Sequence, residues 1–264
     1  MKLIITAGGT SEKIDQVRKI TNRGTGQLGS LTAEEFVRQG GSRIEKIYYL
    51  CEHGAAVPQI PCVEIIFTQG VEEVREALTV LLTRTKIDAV VHSMAVSDYA
   101  VESMTTAEDL AASLAEKLFL RRRWEFQSEG ALAEYLADCI EKNDRLIDRS
   151  RKVGSGLDHM MLVMKRTSKL IGLVKAMQPS TVLVGFKLLD GVGRKALLDA
   201  ACRVLTENSC DLVLANDQTE IKGDRHVGYL LSADKSFTRY ESKAEIARGI
   251  AGKVLNLMDE REKQ

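Results

Sequence analysis

Short apolar runs that alternate with longer amphipathic segments restrict the fold of this chain more than any other feature. The runs KLIITA (2–7), TVLVGFKLL (181–189) and DLVLAND (211–217) are almost continuously apolar, which is typical of strands buried on both faces of a sheet. Segments of helical spacing separate these runs, and such alternation predicts parallel strands joined by crossover helices. We therefore predict an α/β fold with a Rossmann-like, doubly wound, mainly parallel sheet.

The rest of the chain extends this pattern. RIEKIYYL and IDAVVHSMAV predict further strands, and HVGYLLSAD with SFTRYES predicts a small antiparallel extension near the C-terminus. Helices are predicted within 31–41, 70–85, 193–208 and 243–258, and the stretch 104–150 is predicted to be mainly helical. With only three prolines and no Gly/Ser-rich tract, the sequence predicts a single domain over residues 1–264.

Charge and cysteine content narrow the function classes. Basic and acidic residues both number 37, which does not favour a nucleic-acid partner, and the basic run Arg121–Arg123 is interpreted as a solvated patch. No apolar run reaches the roughly 18 residues of a membrane span. The chain begins directly with a strand pattern instead of a signal peptide. Five cysteines without a Cys-x-x-Cys pair predict reduced thiols and a cytoplasmic location.

Residues Gly24, Gly26 and Gly29 form a Gly-x-Gly-x-x-Gly pattern, and Glu52 follows at the spacing of a ribose-binding acid. In dinucleotide-binding folds the first glycine comes directly after the first strand, whereas Gly24 lies 17 residues after Ala7. An NAD(P)-dependent oxidoreductase is therefore only an alternative hypothesis. A glycine-lined anion site near the following helix N-terminus remains the better interpretation.

Several ordered segments carry a family resemblance. They are ITAGGTSEKIDQVRKITNRGTGQLG (5–29), VHSMAVSDY (91–99), RKVGSGLDHMMLVMKRTSKLI (151–171), VGFKLL (184–189) and DLVLANDQTEI (211–221). Together they resemble phosphopantothenate–cysteine ligases (phosphopantothenoylcysteine synthetases), in particular the stand-alone bacterial form. The resemblance covers the chain except its middle helical stretch.

The resemblance implies a reaction of coenzyme A biosynthesis. A nucleoside triphosphate, CTP in bacterial members, activates the carboxylate of 4′-phosphopantothenate, and pyrophosphate leaves. Cysteine then displaces the nucleotide from an acyl-nucleotidyl intermediate. Mg²⁺ accompanies the triphosphate, no metal site made of protein side chains is implied, and the assembly is a homodimer.

The resemblance also assigns residues. As catalytic residues it implies Asn22, whose amide binds the acyl-nucleotide, and Lys152, which neutralises charge as pyrophosphate departs. The implied substrate-binding residues are Arg18, Gly26, Ala95 and Asn216. The implied nucleotide-binding residues are Gly8, Gly9, Thr10, Ser93, Met94, Asp98 and Phe186.

Structural alternatives exist for these residues. Asn22 could cap the helix that follows it, Arg18 could be a surface arginine, Lys152 a solvated lysine and Phe186 a core residue. Asp98 is expected at the carboxyl end of a parallel strand, where a plain cap is the alternative. The chain departs from the usual family residues at Arg23, Gly24, Gly154, Ser168, Val204 and Asn208. These departures leave a non-catalytic nucleotide or pantothenate sensor as a further hypothesis.

Overall fold

The computed structural model describes residues 1–120, 126–223 and 225–263, so the basic run Arg121–Arg123 lies outside the described residues. The chain divides into two compact units. The first unit comprises Met1–Ser11, Thr21–Ser97 and Ser168–Gln264, and the second comprises Glu12–Ile20 and Asp98–Thr167. The expectation of a single domain over residues 1–264 stays a prediction.

Strands and helices alternate along most of the chain. The strands are β1 (Lys2–Ala7), β2 (Ser11–Lys13), β3 (Lys19–Thr21), β4 (Lys46–Cys51), β5 (Val63–Phe67), β6 (Ala89–His92), β7 (Tyr99–Thr106), β8 (Met160–Arg166), β9 (Val182–Leu189), β10 (Leu212–Asp217), β11 (Ile221–Lys222), β12 (Arg225–Ser232) and β13 (Phe237–Ser242). The helices are α1 (Gln27–Gly40), α2 (Val71–Arg84), α3 (Ala107–Leu120), α4 (Glu129–Glu141), α5 (Ile171–Met177), α6 (Arg194–Glu207) and α7 (Lys243–Glu262).

The first unit contains one large sheet with the strand order β11-β12-β10-β9-β6-β1-β4-β5, and β13 pairs with β12. The strands from β10 through β5 in this order are parallel, while β12 runs antiparallel to β10 and β13. The predicted fold class, a mainly parallel Rossmann-like sheet with a small antiparallel extension, is confirmed. Strands β2, β3, β5, β7, β8 and β11 were not expected from the apolar pattern.

Helices cover both faces of this sheet because its strands are apolar on both sides. In β1, Leu3 and Ile5 pack in the same core cluster as Phe36 of α1 and Ile250 of α7. Ile4 points to the opposite face and belongs to the cluster that includes Leu78 of α2 together with residues of α5 and α6. Successive strand residues face opposite sides, so one continuous apolar run supplies both cores.

The order of the strands creates a crevice at their carboxyl ends. Strand β1 lies between β4 and β6. Its connection to β4 runs through α1 on one face, whereas α5, which leads into β9 beside β6, packs on the other face. Neighbouring strands whose connections leave on opposite faces form a topological switch point, where open α/β sheets bind ligands.

The second unit is built around the antiparallel pair β7 and β8. Helices α3 and α4 follow β7, as the helical pattern of 104–150 predicts in part. Tyr135 of α4 donates its hydroxyl to the Lys117 carbonyl at 3.0 Å, and the ammonium of Lys117 in turn bonds the Cys139 carbonyl at 3.3 Å. These bonds fasten the two helices to each other.

Two further properties concern the whole described chain. Each helix in the described ranges is too short or too polar to cross a bilayer.

The five cysteines are free thiols, and Cys51, Cys139 and Cys210 are buried. Burial raises the pKa of the Cys51 thiol to about 11 and that of Cys210 to about 12.

Candidate functional site

Two glycine-rich segments of the first unit meet beyond the carboxyl end of β1. Gly8 adopts a φ of +81°, which favours glycine. A Cβ at Gly9 would lie 2.1 Å from the carbonyl oxygen of Asn22, and a Cβ at Gly24 would lie 2.3 Å from that of Gly8. The segments therefore stack backbone against backbone, which is possible only without side chains at these positions.

The segment after β6 joins this arrangement. The Ala95 N–H donates to the Gly8 carbonyl at 2.8 Å, and the Thr10 N–H donates to the Ala95 carbonyl at 3.1 Å. The Thr10 hydroxyl donates to Ser97 Oγ at 2.9 Å and accepts from the Ser97 N–H at 2.8 Å. Because these contacts link the ends of β1 and β6, they fix the backbone that lines the switch point.

Buried polar groups at the ends of β1 and β6 hydrogen-bond each other next to these loops. Ser93 Oγ donates to the Thr6 carbonyl at 2.7 Å, and Thr6 Oγ1 lies 2.9 Å from His92 Nδ1. Burial lowers the pKa of His92 to about 4, so its ring is neutral at pH 7. Met94, 6% exposed, also approaches these groups, since its N–H lies 3.4 Å from Thr6 Oγ1.

Helix α1 begins beside the same loops. Its N-cap is Gly26, with a φ of +73° and no side-chain cap. The Tyr49 hydroxyl lies 3.1 Å from the Gly26 carbonyl, and a Cβ at Gly29 would lie 2.5 Å from Ala7 Cβ. Gly26 and Gly29 thus let the helix start pack closely on the end of β1. The Gln27 N–H lies 3.4 Å from Thr25 Oγ1, and the N-terminus of the helix favours an anion.

The dinucleotide pattern does not form the turn directly after β1. Strands β2 and β3 lie between Ala7 and Gly24. Glu52, the expected ribose ligand, accepts a hydrogen bond from Ser11 Oγ at 2.7 Å. In the dinucleotide-binding fold the first glycine directly follows the first strand. Here Gly24 is separated from β1 by two further strands, as its distance from Ala7 in the sequence indicates.

Asn22 is not a helix cap. Helix α1 begins at Gln27 behind the Gly26 N-cap, so the capping interpretation of Asn22 is wrong. Its backbone N–H donates to the Thr10 carbonyl at 3.1 Å, which holds the residue against the first glycine segment. Its half-buried side-chain amide makes no hydrogen bond within the described part of the chain, so both polar atoms of the amide are available to a ligand.

The remaining predicted residues of the first unit lie on strands β9 and β10. Asn216 is 5% exposed and donates its side-chain amide to the Val227 carbonyl at 2.8 Å. Its NH₂ group therefore links β10 to β12. Phe186 is half-buried and packs against the core under α1 and α7. A core role of Phe186 and a contact with a ligand are both compatible with this position.

In the second unit, Arg18 forms an ion pair with a buried carboxylate. Its Nη2 and Nε donate to Asp15 Oδ2 at 2.7 and 3.1 Å, and the Asp15 side chain is fully buried while that of Arg18 is 40% exposed. The Arg18 guanidinium, followed by the Val17 N–H, holds the pKa of Asp15 well below its usual range. Arg18 is therefore an oriented cation with one open side, not a freely solvated arginine.

Lys152 lies in an exposed stretch of the same unit. It lines an open cavity of about 530 Å³ together with Asp148, Arg151 and Gly154. The next residue, Val153, is 7% exposed and donates its N–H to Asp15 Oδ2 at 3.1 Å. Arg18 and the backbone beside Lys152 thus share one carboxylate, a link that sequence reasoning missed.

Asp98 is not at the carboxyl end of a parallel strand. Strand β6 ends at His92, and Asp98 directly precedes the antiparallel strand β7. Its carbonyl accepts from the Thr167 N–H at 3.0 Å. The expected position is wrong because five irregular residues separate β6 from Asp98; the nucleotide-binding role of Asp98 stays a prediction.

The structure thus brings together eight of the predicted residues within the first unit: Gly8, Gly9, Thr10, Asn22, Gly26, Ser93, Met94 and Ala95. Within the second unit it brings Arg18 next to the Lys152 segment. Sequence reasoning missed Asp15, Ser97 and Arg149. Of these three, Asp15 alone carried a signal in the sequence: it lies three residues before Arg18, a spacing at which the two side chains can form an ion pair.

The parallel sheet, the glycine loops at its switch point and the uncapped start of α1 place the chain in the class of Rossmann-like α/β proteins. Residues 1–117 match the DNA/pantothenate metabolism flavoprotein C-terminal domain. The crystal structure of the DNA/pantothenate metabolism flavoprotein from Streptococcus pneumoniae is similar over 97% of this chain and 99% of that one, with 30% identity and a TM-score of 0.78. The chain belongs to the family of the DNA/pantothenate metabolism flavoprotein C-terminal domain.

Two further relatives are more distant. The coenzyme A biosynthesis bifunctional protein CoaBC of Thermococcus kodakarensis is 29% identical over 215 residues, which cover 81% of this chain and 41% of that protein. The chain spans about half the length of the curated relatives that it matches. A Cab2 mutant in complex with phosphopantothenate-cysteine shares the fold, with a TM-score of 0.65, 14% identity and coverage of 100% of this chain and 89% of that one.

Proposed function

We propose that this protein is a phosphopantothenate–cysteine ligase that acts in coenzyme A biosynthesis. Family membership and the names of the relatives support this function. The observation that carries the proposal is the position of Asn22: its side-chain amide makes no hydrogen bond within the described residues, and its backbone is held against the glycine loops at the switch point. A neutral donor suits an acyl phosphate, because it stabilises developing oxyanion charge without a counter-ion of its own.

The proposed reaction has two steps. A carboxylate oxygen of 4′-phosphopantothenate attacks the α-phosphorus of CTP, and the bond to pyrophosphate breaks. The amine of cysteine then attacks the acyl carbon, CMP leaves, and the amine loses a proton to form the amide.

Residues of the first unit would bind the nucleotide and the intermediate. Gly8, Gly9 and Thr10 would approach the nucleotide through their backbone, which is held in place because the glycines pack directly against the backbone of Asn22 and Gly24. The N–H groups at the start of α1, behind Gly26, would bind phosphate oxygens. Asn22 would hold the acyl-nucleotide for attack by cysteine.

Residues of the second unit would neutralise charge. Arg18, already oriented by Asp15, would bind the phosphate of phosphopantothenate with the open side of its guanidinium, whose planar donors suit that dianion. Lys152 would balance the charge of departing pyrophosphate.

Three finer points belong to the same proposal. We propose CTP as the nucleotide, a homodimer as the assembly and Mg²⁺ as the ion that accompanies the triphosphate. Within the described ranges, no three or more His, Cys, Asp or Glu side chains lie together as a possible metal cluster. The cytoplasmic location and the lack of a nucleic-acid partner stay predictions.

A coupled assay tests the function. The purified protein is mixed with 4′-phosphopantothenate, cysteine, Mg²⁺ and either CTP or ATP; pyrophosphate release and the mass of the product are measured. We expect phosphopantothenoylcysteine only when all components are present, and faster turnover with CTP. Absence of product with every nucleotide would contradict the ligase, whereas faster turnover with ATP would contradict only the choice of CTP. A change in NADH absorbance or fluorescence on binding would instead support the oxidoreductase hypothesis.

A further inference from the structure

We propose that Asp15 is a positioning residue that holds the Arg18 guanidinium and the backbone directly after Lys152 in one arrangement. The inference rests on the proposed function for its kinetic consequences, but the contacts themselves are independent of it. We call Asp15, Arg18 and Val153 the clasp.

The clasp is built around a carboxylate that is surrounded by N–H donors. Asp15 Oδ1 accepts from the backbone N–H groups of Val17 and Arg18 at 2.8 and 2.7 Å. Asp15 Oδ2 accepts from the Arg18 guanidinium and from the Val153 N–H at 3.1 Å. A buried carboxylate with several charge-assisted and backbone donors has a strongly preferred orientation.

Arg18 closes the clasp from the other side. Its Nη2 lies 3.4 Å from the Val153 carbonyl, in addition to its bonds with Asp15. Val153 is thus held through both its N–H and its carbonyl, although it follows the exposed Lys152. The peptide bond between Lys152 and Val153 is therefore fixed, while the lysine side chain stays exposed.

A second arginine fastens the same stretch of chain. Arg149 donates to the carbonyls of Lys13 and Ile14 at 2.6 and 2.7 Å and to those of Val101 and Glu102 at 2.9 and 3.0 Å. Four carbonyls on one guanidinium hold the segment 149–153 beside the segment 13–18. The base of the Lys152 stretch is therefore attached at two places, through Arg149 and through Asp15.

Through this arrangement the Asp15 carboxylate affects two roles in the proposed reaction: phosphate binding by Arg18 and charge neutralisation by Lys152. If Asp15 loses its charge, the Arg18 guanidinium loses its ion pair and can rotate, so the bound phosphate loses an oriented partner. The Lys152 backbone is released at the same time. We expect a higher KM for phosphopantothenate and a lower kcat, with the KM for CTP little changed.

Limited proteolysis tests the clasp without using activity. Trypsin cleaves after lysine, and the bond after Lys152 is protected as long as the Val153 N–H is held. In Asp15→Asn the amide presents donors toward the Val153 N–H, so we expect cleavage after Lys152 to become about tenfold faster, because such cleavage follows the population of the open state. The rate is measured by mass spectrometry relative to cleavage after Lys235, an exposed residue elsewhere in the chain.

Matched variants make the result specific. Asp144→Asn removes the same charge from an exposed position of the same unit, and we expect wild-type cleavage and kinetics. If Asp15→Asn does not fold, Arg18→Gln supplies the second test, because it removes the guanidinium that bonds both Asp15 and the Val153 carbonyl.

The outcomes separate the two proposals. Unchanged cleavage after Lys152 in folded Asp15→Asn, or in Arg18→Gln where Asp15→Asn does not fold, would overturn the clasp. If the wild type makes no phosphopantothenoylcysteine, the proposed function fails, but the proteolysis still decides whether the clasp exists. Faster cleavage with an unchanged KM for phosphopantothenate in an active enzyme would overturn the positioning role of Asp15 toward Arg18.

Discussion

Thr10 and Ser97, 87 residues apart in the chain, hydrogen-bond each other through both a hydroxyl pair and a backbone N–H. Thr10 is fully buried and Ser97 is 6% exposed. The pair ties the segment after β1 to the segment after β6. Two segments that are far apart in the chain are therefore joined by hydrogen bonds at the switch point.

The first prediction concerns this pair. Thr10→Val keeps the shape of the side chain but removes the buried hydroxyl that donates to Ser97 Oγ and accepts from the Ser97 N–H. We expect a loss of about 1–3 kcal/mol in the free energy of unfolding, measured by urea denaturation, and a higher KM for the nucleotide. Thr79→Val is the control, since the Thr79 hydroxyl donates to the Arg75 carbonyl of its own helix at 2.7 Å. Equal effects of the two substitutions would contradict a special role for Thr10.

A second prediction tests the backbone stacking of the glycine loops. In Gly9→Ala the new methyl group would lie 2.1 Å from the Asn22 carbonyl oxygen, so the two segments must separate. We expect ligase turnover to fall by about a hundredfold or more, because displacement of catalytic groups by about 1 Å has that effect. Gly172→Ala adds the same methyl group in a helix where its nearest neighbour lies 3.9 Å away, and it should keep wild-type turnover. An active Gly9→Ala enzyme would show that the loops do not need close contact.

The third prediction addresses Asn22. Asn22→Asp keeps the size of the side chain but replaces a donor by an anion where we propose that the acyl phosphate binds. We expect product formation to fall by about a hundred- to a thousandfold, while pyrophosphate release is less affected. Because Asn22 does not cap α1, the unfolding temperature should stay close to that of the wild type. Rapid formation of phosphopantothenoylcysteine by this variant would remove Asn22 from the catalytic residues.

A fourth prediction concerns pH. Burial lowers the pKa of His92 and of His226 to about 4 in the folded protein, with the Lys243 charge adding to the effect at His226. Between about pH 6.5 and pH 4 the unfolded chain binds these protons and the folded protein does not, so stability is lost as the pH falls through this window. Each histidine contributes at most about 1.4 kcal/mol per pH unit there.

Urea denaturation of wild type and His92→Gln at several pH values tests whether stability falls with pH as predicted. We expect the variant to be less stable at pH 7, where it disturbs the contact between Thr6 and His92, but to lose less stability on acidification. Parallel curves for the two proteins between pH 6.5 and pH 4 would show that His92 is protonated equally in both states.

The sequence alone determined the class of fold, because buried parallel strands need continuous apolar runs. A strand that is apolar on both faces must be covered by helices on both faces, so it belongs in the middle of a sheet. This holds for KLIITA, TVLVGFKLL and DLVLAND. The Gly24-x-Gly26-x-x-Gly29 pattern also indicated a glycine-lined segment before a helix, and the structure packs these three glycines closely against neighbouring atoms. Both signals lie within short windows of the chain.

Only the tertiary structure decided the partners of individual polar side chains. By its place in the sequence Asn22 could also cap α1, and Asp98 was expected at the end of a parallel strand. Nothing in the sequence links Asp15 to Val153, which lies 138 residues away. The apolar pattern of a strand depends on which face is buried, so it can be read locally. A hydrogen bond depends on distance and direction to an atom from another part of the chain, and these exist only once the chain has folded.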